Sequence, residues 1–199
     1  MSAMATRRLI LASASPRRRE LLAQIGIAPE ILACDVAEVR APAETPLAYS
    51  RRVALAKAQA GWQRSGMDPA SLVLGADTEV VVDDVVFGKP ADDSAALLML
   101  RDLSGREHLV LSSVAVVGAA FEAVETCTTR VRFARMSERA IREYVASGEP
   151  AGRAGGYAIQ GLAAAFVASI EGSYSGVMGL PLFETISLLR RAGLAVIPE

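Results

Sequence analysis

The 199-residue chain carries 21 basic and 22 acidic side chains, a formal charge of −1, and 52% hydrophobic residues. That is enough apolar material for a sizeable core, in one domain or in two lobes sharing a sheet. The balanced charge excludes a general nucleic-acid binder, the single His108 excludes a multi-histidine metal cage, and no apolar run approaches the roughly 20 residues that span a bilayer.

"MSAMATRRLILASASPRRR" joins a basic pair to a short apolar run, as a signal peptide does, but arginines stand where a cleavage site belongs. It reads as a strand over residues 8–12 of a cytoplasmic protein. Ser15 then caps a helix with Pro16 at its first position and Leu21, Leu22 and Ile25 facing inward. A second helix starts at Thr45-Pro46, with Leu47, Val53, Ala56 and Ala60 as its apolar side. "LVLGADTEVVVDDVVFGKP" is a strand, a turn near Asp83-Asp84 and a short return. A helix closed by Gly105 follows, then two alternating, paired strands, then a helix capped by Ser137 and ended by Gly148. A glycine-rich segment leads into an apolar strand "AAAFVASI", and a second such loop leads to a final helix near Pro181. Interleaved helices and strands define an α/β class with a mixed sheet and no separable linker. Cys34 and Cys127 have no motif spacing and fit two inert thiols in a reducing compartment.

Four stretches carry chemistry. At "SASPRRR" a strand hands over to a helix, so amide N–H groups, the Ser13 and Ser15 hydroxyls and the Arg17 and Arg18 guanidiniums converge where an anion would sit. Consecutive helical residues diverge by about 100°, which leaves Arg19 to solvent. A solvated helix face paired to Glu20 is the competing reading. Asp77 lies in the apolar strand after Gly75 and Ala76, whose small size suits close approach of a ligand. A carboxylate there must be paired, metal-bound or aimed into a cleft, unless it caps a turn amide. Lys57 and Lys89 each read alone as surface lysines. "GEPAGRAGGYAIQG" fits neither a dinucleotide fingerprint nor a P-loop, but its Gln160 offers the donor and acceptor that a base edge requires. "GSYSG" has Tyr174 where a nucleophile elbow needs serine, which disfavours a Ser-His-Asp hydrolase.

Together "LASASPRR", "KAQAG", "LGADTEVV", "FGKP", "LSGREHLV", "SGEP", "AGGYAIQG" and "EGSYSGVMGLPL" resemble, in order, the Maf family of nucleotide pyrophosphatases, over nearly the whole chain. The pattern is closest to the branch acting on dTTP and UTP. The resemblance implies an elongated mixed sheet with flanking helices, similar to inosine-triphosphate pyrophosphatases, in a single domain (1–199) of two lobes around a cleft. It implies Asp77 as catalytic proton acceptor, with Ser13, Arg17, Arg18, Lys57 and Lys89 on phosphate. Glu38 and Asp77 fall at its metal positions, for Mg²⁺, Mn²⁺ or Co²⁺. Arg17, Thr78 and Gln160 fall where the family varies with the base, and the 7-methyl-GTP branch has Trp, Gln and Glu there. Its expected partner is a nucleoside triphosphate, without nucleic acid or membrane; a homodimer is allowed. The family's association with septum formation keeps a non-catalytic nucleotide-binding regulator as the alternative. The chain departs from the family at Gly152 and Arg153, where Asp and Lys are usual, and at Gly176 for asparagine. These departures bear on rate and metal preference more than on reaction type.

Overall fold

The computed structural model describes residues 7–194 and 196; residues 1–6 of the signal-like stretch lie outside the described residues. The α/β expectation with a mixed sheet is met. Seven strands form one sheet in the order β2-β1-β3-β5-β6-β7, with β4 on the same edge of β3 as β1. Strand β1 (Arg8–Leu11) runs parallel to β2 (Glu30–Ile31) and to the first residues of β3 (Ser71–Val82). β4 (Val85–Phe87) returns antiparallel after a turn in which Asp83 and Asp84 both take positive φ. β5 (Glu107–Gly118), β6 (Phe121–Phe133) and β7 (Val167–Glu171) complete the sheet antiparallel.

This register creates the functional opening. β1 pairs with β3 only up to Leu74, and β4 begins pairing at Val80. Between them, Gly75–Glu79 has β5 on one side and, among the described residues, no strand on the other. Ligands bind in such gaps, beyond the carboxyl end of a strand where neighbours diverge.

Two apolar clusters flank the gap. Leu9, Leu11, Leu72, Leu74, Val114 and Val116 pack against α1 (Pro16–Gln24) and α6 (Leu182–Arg191). Val80, Val82, Val110, Val131 and Phe133 pack against α3 (Asp93–Leu103) and α4 (Glu138–Ala146).

Helix α2 (Pro46–Arg64) covers the opposite face of the sheet. Its buried stripe is Tyr49, Val53, Ala54, Lys57, Ala58 and Gly61, not the Leu47, Ala56 and Ala60 of the sequence reading; Leu47 is exposed. The reason is a close approach. A Cβ at Gly75 would stand 2.3 Å from the Ala54 carbonyl oxygen and 2.5 Å from the Ala58 nitrogen. Gly75 therefore makes room for the α2 backbone rather than for a ligand. Gly75→Ala must push α2 off the sheet, and we expect a loss of about 3 kcal/mol or more by urea denaturation, with activity falling as Lys57 moves.

Three other readings shift. Ser15 is the N-cap of α1 by position, but its side chain makes no capping bond; Ser13 Oγ accepts from the Ser15 N–H at 3.2 Å. "AAAFVASI" begins as a 3₁₀ turn (Leu162–Phe166), and only Val167–Glu171 is a strand, mostly exposed at the sheet edge. β2 and a short helix α5 (Tyr174–Met178) have no counterpart in the sequence reading. Asp83-Asp84, Gly105 and Ser137 act as expected. Among the described residues no helix is long and apolar enough to cross a membrane.

His108 sits in the second cluster, 2% exposed, with Nε2 2.8 Å from Tyr157 Oη and Nδ1 without a partner among the described residues. Burial lowers its pKa to about 4. The unfolded chain takes up this proton near pH 6.5, so the contribution is complete above 6.5 and is lost as pH falls towards 4. The stability difference between the parent and His108→Phe, measured by chemical denaturation so that other titrating groups cancel, should shift by something on the order of 3 kcal/mol across that window, against the parent as pH falls.

Candidate active site

A cleft of about 930 Å³ opens at the gap in β3, and Ser13, Arg17, Arg18, Glu38, Lys57, Asp77, Thr78, Lys89 and Gln160 all line it. All nine candidate residues, up to 147 positions apart in the chain, thus share one cavity.

Its centre is a buried ion pair. Asp77 is 4% exposed and Lys57 8%. Lys57 Nζ donates to Asp77 Oδ1 at 2.9 Å and lies 2.7 Å from Glu38 Oε1. The approach permitted by Gly75 brings Lys57 to this point, so core packing and site geometry have one cause. Among the described residues no amide, hydroxyl or amine donor meets Asp77 Oδ2, which is buried, but the Glu79 carboxyl lies beside Asp77 and hydrogen-bonds to it when protonated. A carboxylate oxygen in that condition is costly unless a proton, a water or a cation meets it.

Glu79 was not singled out by the sequence reading. In a strand, residues i and i+2 share a face, so the "DTE" spacing sets Glu79 beside Asp77 on the α2 side. Burial, then the charge of Asp77 and a hydrogen bond with it, and then the charge of Glu38, push the Glu79 carboxyl up to about 8. Burial also opposes ionisation of Glu38, but its hydrogen bond and charge contact with Lys57, helped by Lys89 and Arg18, hold it below the usual range. Three carboxyl groups thus crowd around one lysine.

The arginine run divides as its helical geometry requires. Arg19 is exposed. Arg18 turns inward, donating from Nε to the Gly179 carbonyl at 2.8 Å and from Nη1 to Ser13 Oγ at 3.1 Å. That excludes a solvated face for Arg18. Burial pushes its guanidinium below the ordinary arginine value, against the pull of Asp77. Arg17 is half-buried and lowered by burial and then by the like charge of Arg153. Two cations are therefore held near each other across the cleft. Arg153 has a buried Nε without a partner among the described residues and donates from Nη1 to the Glu149 carbonyl. Lys89 is exposed at the rim and Gln160 is exposed on the side that carries Arg153.

Thr78 points away from Asp77 and Glu79, to the other face of β3. Its Oγ1 lies 3.0 Å from Ser112 Oγ and donates to the Gly179 carbonyl at 3.3 Å. Ser113, opposite Asp77 in β5, bonds Ser50 and Thr126. The loop carrying Glu38 is pinned by Arg52, which grips the Glu44 carboxylate and the Val39 carbonyl, and by Arg40, bonded to the carbonyls of Glu44 and Asp84.

Clustered cations, an anion-ready helix start and a buried carboxylate–lysine pair define a cleft for a polyanionic ligand in an α/β protein. The chain belongs to the Maf family: the model described as Maf-like protein matches residues 8–192. It is 51% identical over 197 residues to a dTTP/UTP pyrophosphatase of Burkholderia lata, covering 94% of each chain. It is 50% identical over 195 residues to the Bordetella parapertussis protein of the same name, covering 95% of this chain and 94% of that one. The Hahella chejuensis dTTP/UTP pyrophosphatase is 48% identical over 190 residues, 96% of this chain and 94% of that one. Among solved structures, the Staphylococcus aureus Ham1 protein overlaps 64% of this chain and 72% of its own, with a TM-score of 0.47 and 13% identity.

Proposed function

We propose that this protein hydrolyses dTTP and UTP to the nucleoside monophosphate and pyrophosphate. The observation that carries the reading is the buried Asp77 carboxylate, held by Lys57 and set among arginines in one cleft, in a chain half identical to proteins of that name. A nucleoside triphosphate carries about four negative charges and is bound by cations and commonly a divalent metal.

Glu38 and Asp77 would hold such an ion. Among the described residues no group of three or more His, Cys, Asp or Glu forms a metal cage. Two carboxylates plus substrate phosphates is the pattern that Mg²⁺ favours, and Asp77 and Glu38 share the single charge of Lys57, which leaves negative charge for a cation to meet. When bound, the ion neutralises phosphate charge.

The remaining work falls to the chain. Lys57 fixes Asp77 by Oδ1, which leaves Oδ2 to take a proton from water attacking the α-phosphorus. Arg18, with Ser13 and the start of α1 behind it, receives phosphate oxygens, and Arg17 and Lys89 add charge. Gln160 pairs with the edge of uracil or thymine. Arg17, where the 7-methyl-GTP branch has Trp, repels a cationic base.

The test is pyrophosphate release from canonical, modified and 7-methylated nucleotides with Mg²⁺, Mn²⁺ or Co²⁺. The reading expects dTTP and UTP to lead. A faster reaction with 7-methyl-GTP would overturn the base assignment, and tight binding without turnover would favour the regulator.

A further inference from the structure

The Gly179 carbonyl accepts two hydrogen bonds: from Arg18 Nε at 2.8 Å and from Thr78 Oγ1 at 3.3 Å. A carbonyl oxygen has two lone pairs, so both are in use. The Thr78 hydroxyl has a single proton. With that proton on Gly179, the hydroxyl accepts from Ser112 Oγ at 3.0 Å, and the relay runs Ser112 to Thr78 to the carbonyl. No donor capacity is left on Thr78 for a base.

We propose that the Thr78 hydroxyl is a positioning group: through the Gly179 carbonyl it sets the guanidinium of Arg18 for phosphate. This rests on the pyrophosphatase reading and deepens it. The carbonyl joins three separate parts of the chain: β3, the start of α1 and the turn after α5. Gly179 adopts φ +126, a conformation that favours glycine, so the turn places its carbonyl by a geometry few other residues reproduce. With Nε on that carbonyl and Nη1 on Ser13 Oγ, the guanidinium plane is fixed by two contacts. Nη2 has no acceptor among the described residues and is the nitrogen left for the cleft that Arg18 lines. Thr78 follows Asp77 directly, so one strand aims the proton acceptor from one face and the phosphate cation from the other.

Thr78→Val keeps the shape and removes the hydroxyl; Thr78→Ser restores it. We expect Thr78→Val to lower kcat on dTTP, UTP and a purine triphosphate by the same factor, about five- to ten-fold, the size of one neutral hydrogen bond. Calorimetric affinity for inorganic pyrophosphate should weaken by a similar factor, and Thr78→Ser should recover both. Thr78→Ala substitutes if the valine variant does not fold. Unequal losses between bases would overturn the proposal, because Thr78 would then be reading the base. So would unchanged kinetics and pyrophosphate affinity, or a serine variant as impaired as the valine one. If the parent protein releases pyrophosphate from no nucleotide, the pyrophosphatase reading fails, while the pyrophosphate titration still decides the role of Thr78.

Discussion

Asp77→Asn should lower kcat at least roughly 10²-fold while leaving a folded protein, because the amide keeps the shape but cannot take a proton. The structural cost is limited. Lys57 retains Glu38 at 2.7 Å, so the substitution does not strand the lysine charge. The Oδ2 position becomes an amide group or stays a carbonyl, neither of which accepts a proton from water at neutral pH. Steady-state kinetics beside a melting curve separates the two roles. A purely structural aspartate would give a lower Tm with normal kcat in the folded fraction, and that outcome would remove Asp77 from the chemistry.

Lys57→Met should be damaging to both stability and rate. The side chain is buried, and it is the cation within 3 Å of both Asp77 and Glu38. Methionine matches its length but leaves two carboxylates, with Glu79 nearby, without the cation that bonds both of them. Removing one partner of a buried pair typically costs 3–5 kcal/mol. We expect a loss of that size by urea denaturation at neutral pH. Excess Mg²⁺ should restore part of it, since a divalent ion supplies the missing positive charge. Unchanged stability with and without Mg²⁺ would show that the pair is not the organising contact of the cleft.

The sequence made some of this legible and hid the rest for physical reasons. Asp77 was visible because a carboxylate inside "LVLGADTEVVV" conflicts with its neighbours. Lys57 was visible only by resemblance: a lysine in an alanine-rich helix has no local conflict, and the 2.9 Å contact to Asp77 arises across the α2–β3 interface. The close approach was misread. Gly75 looked like room for a ligand, whereas it makes room for the backbone at Ala54 and Ala58, a contact between elements that no pattern within either one reveals. The same packing explains the buried stripe of α2, where backbone proximity selected Ala54, Ala58 and Gly61 over the more apolar Leu47. Glu79 follows from strand periodicity, since alternate residues share a face, but its burial depends on the cover of α2, which the strand's own sequence does not report. Arg18 and Arg19 separated as helical geometry predicts. The carbonyl that anchors Arg18 lies 161 residues away and is a backbone group, which no side-chain motif reports.

The central claim is that water, activated at Asp77, attacks the α-phosphorus. Hydrolysis of dTTP in ¹⁸O-labelled water, with products analysed by mass spectrometry, tests it directly. The label should appear in the nucleoside monophosphate, with pyrophosphate unlabelled. Label in pyrophosphate, or release of orthophosphate and a nucleoside diphosphate, would contradict it.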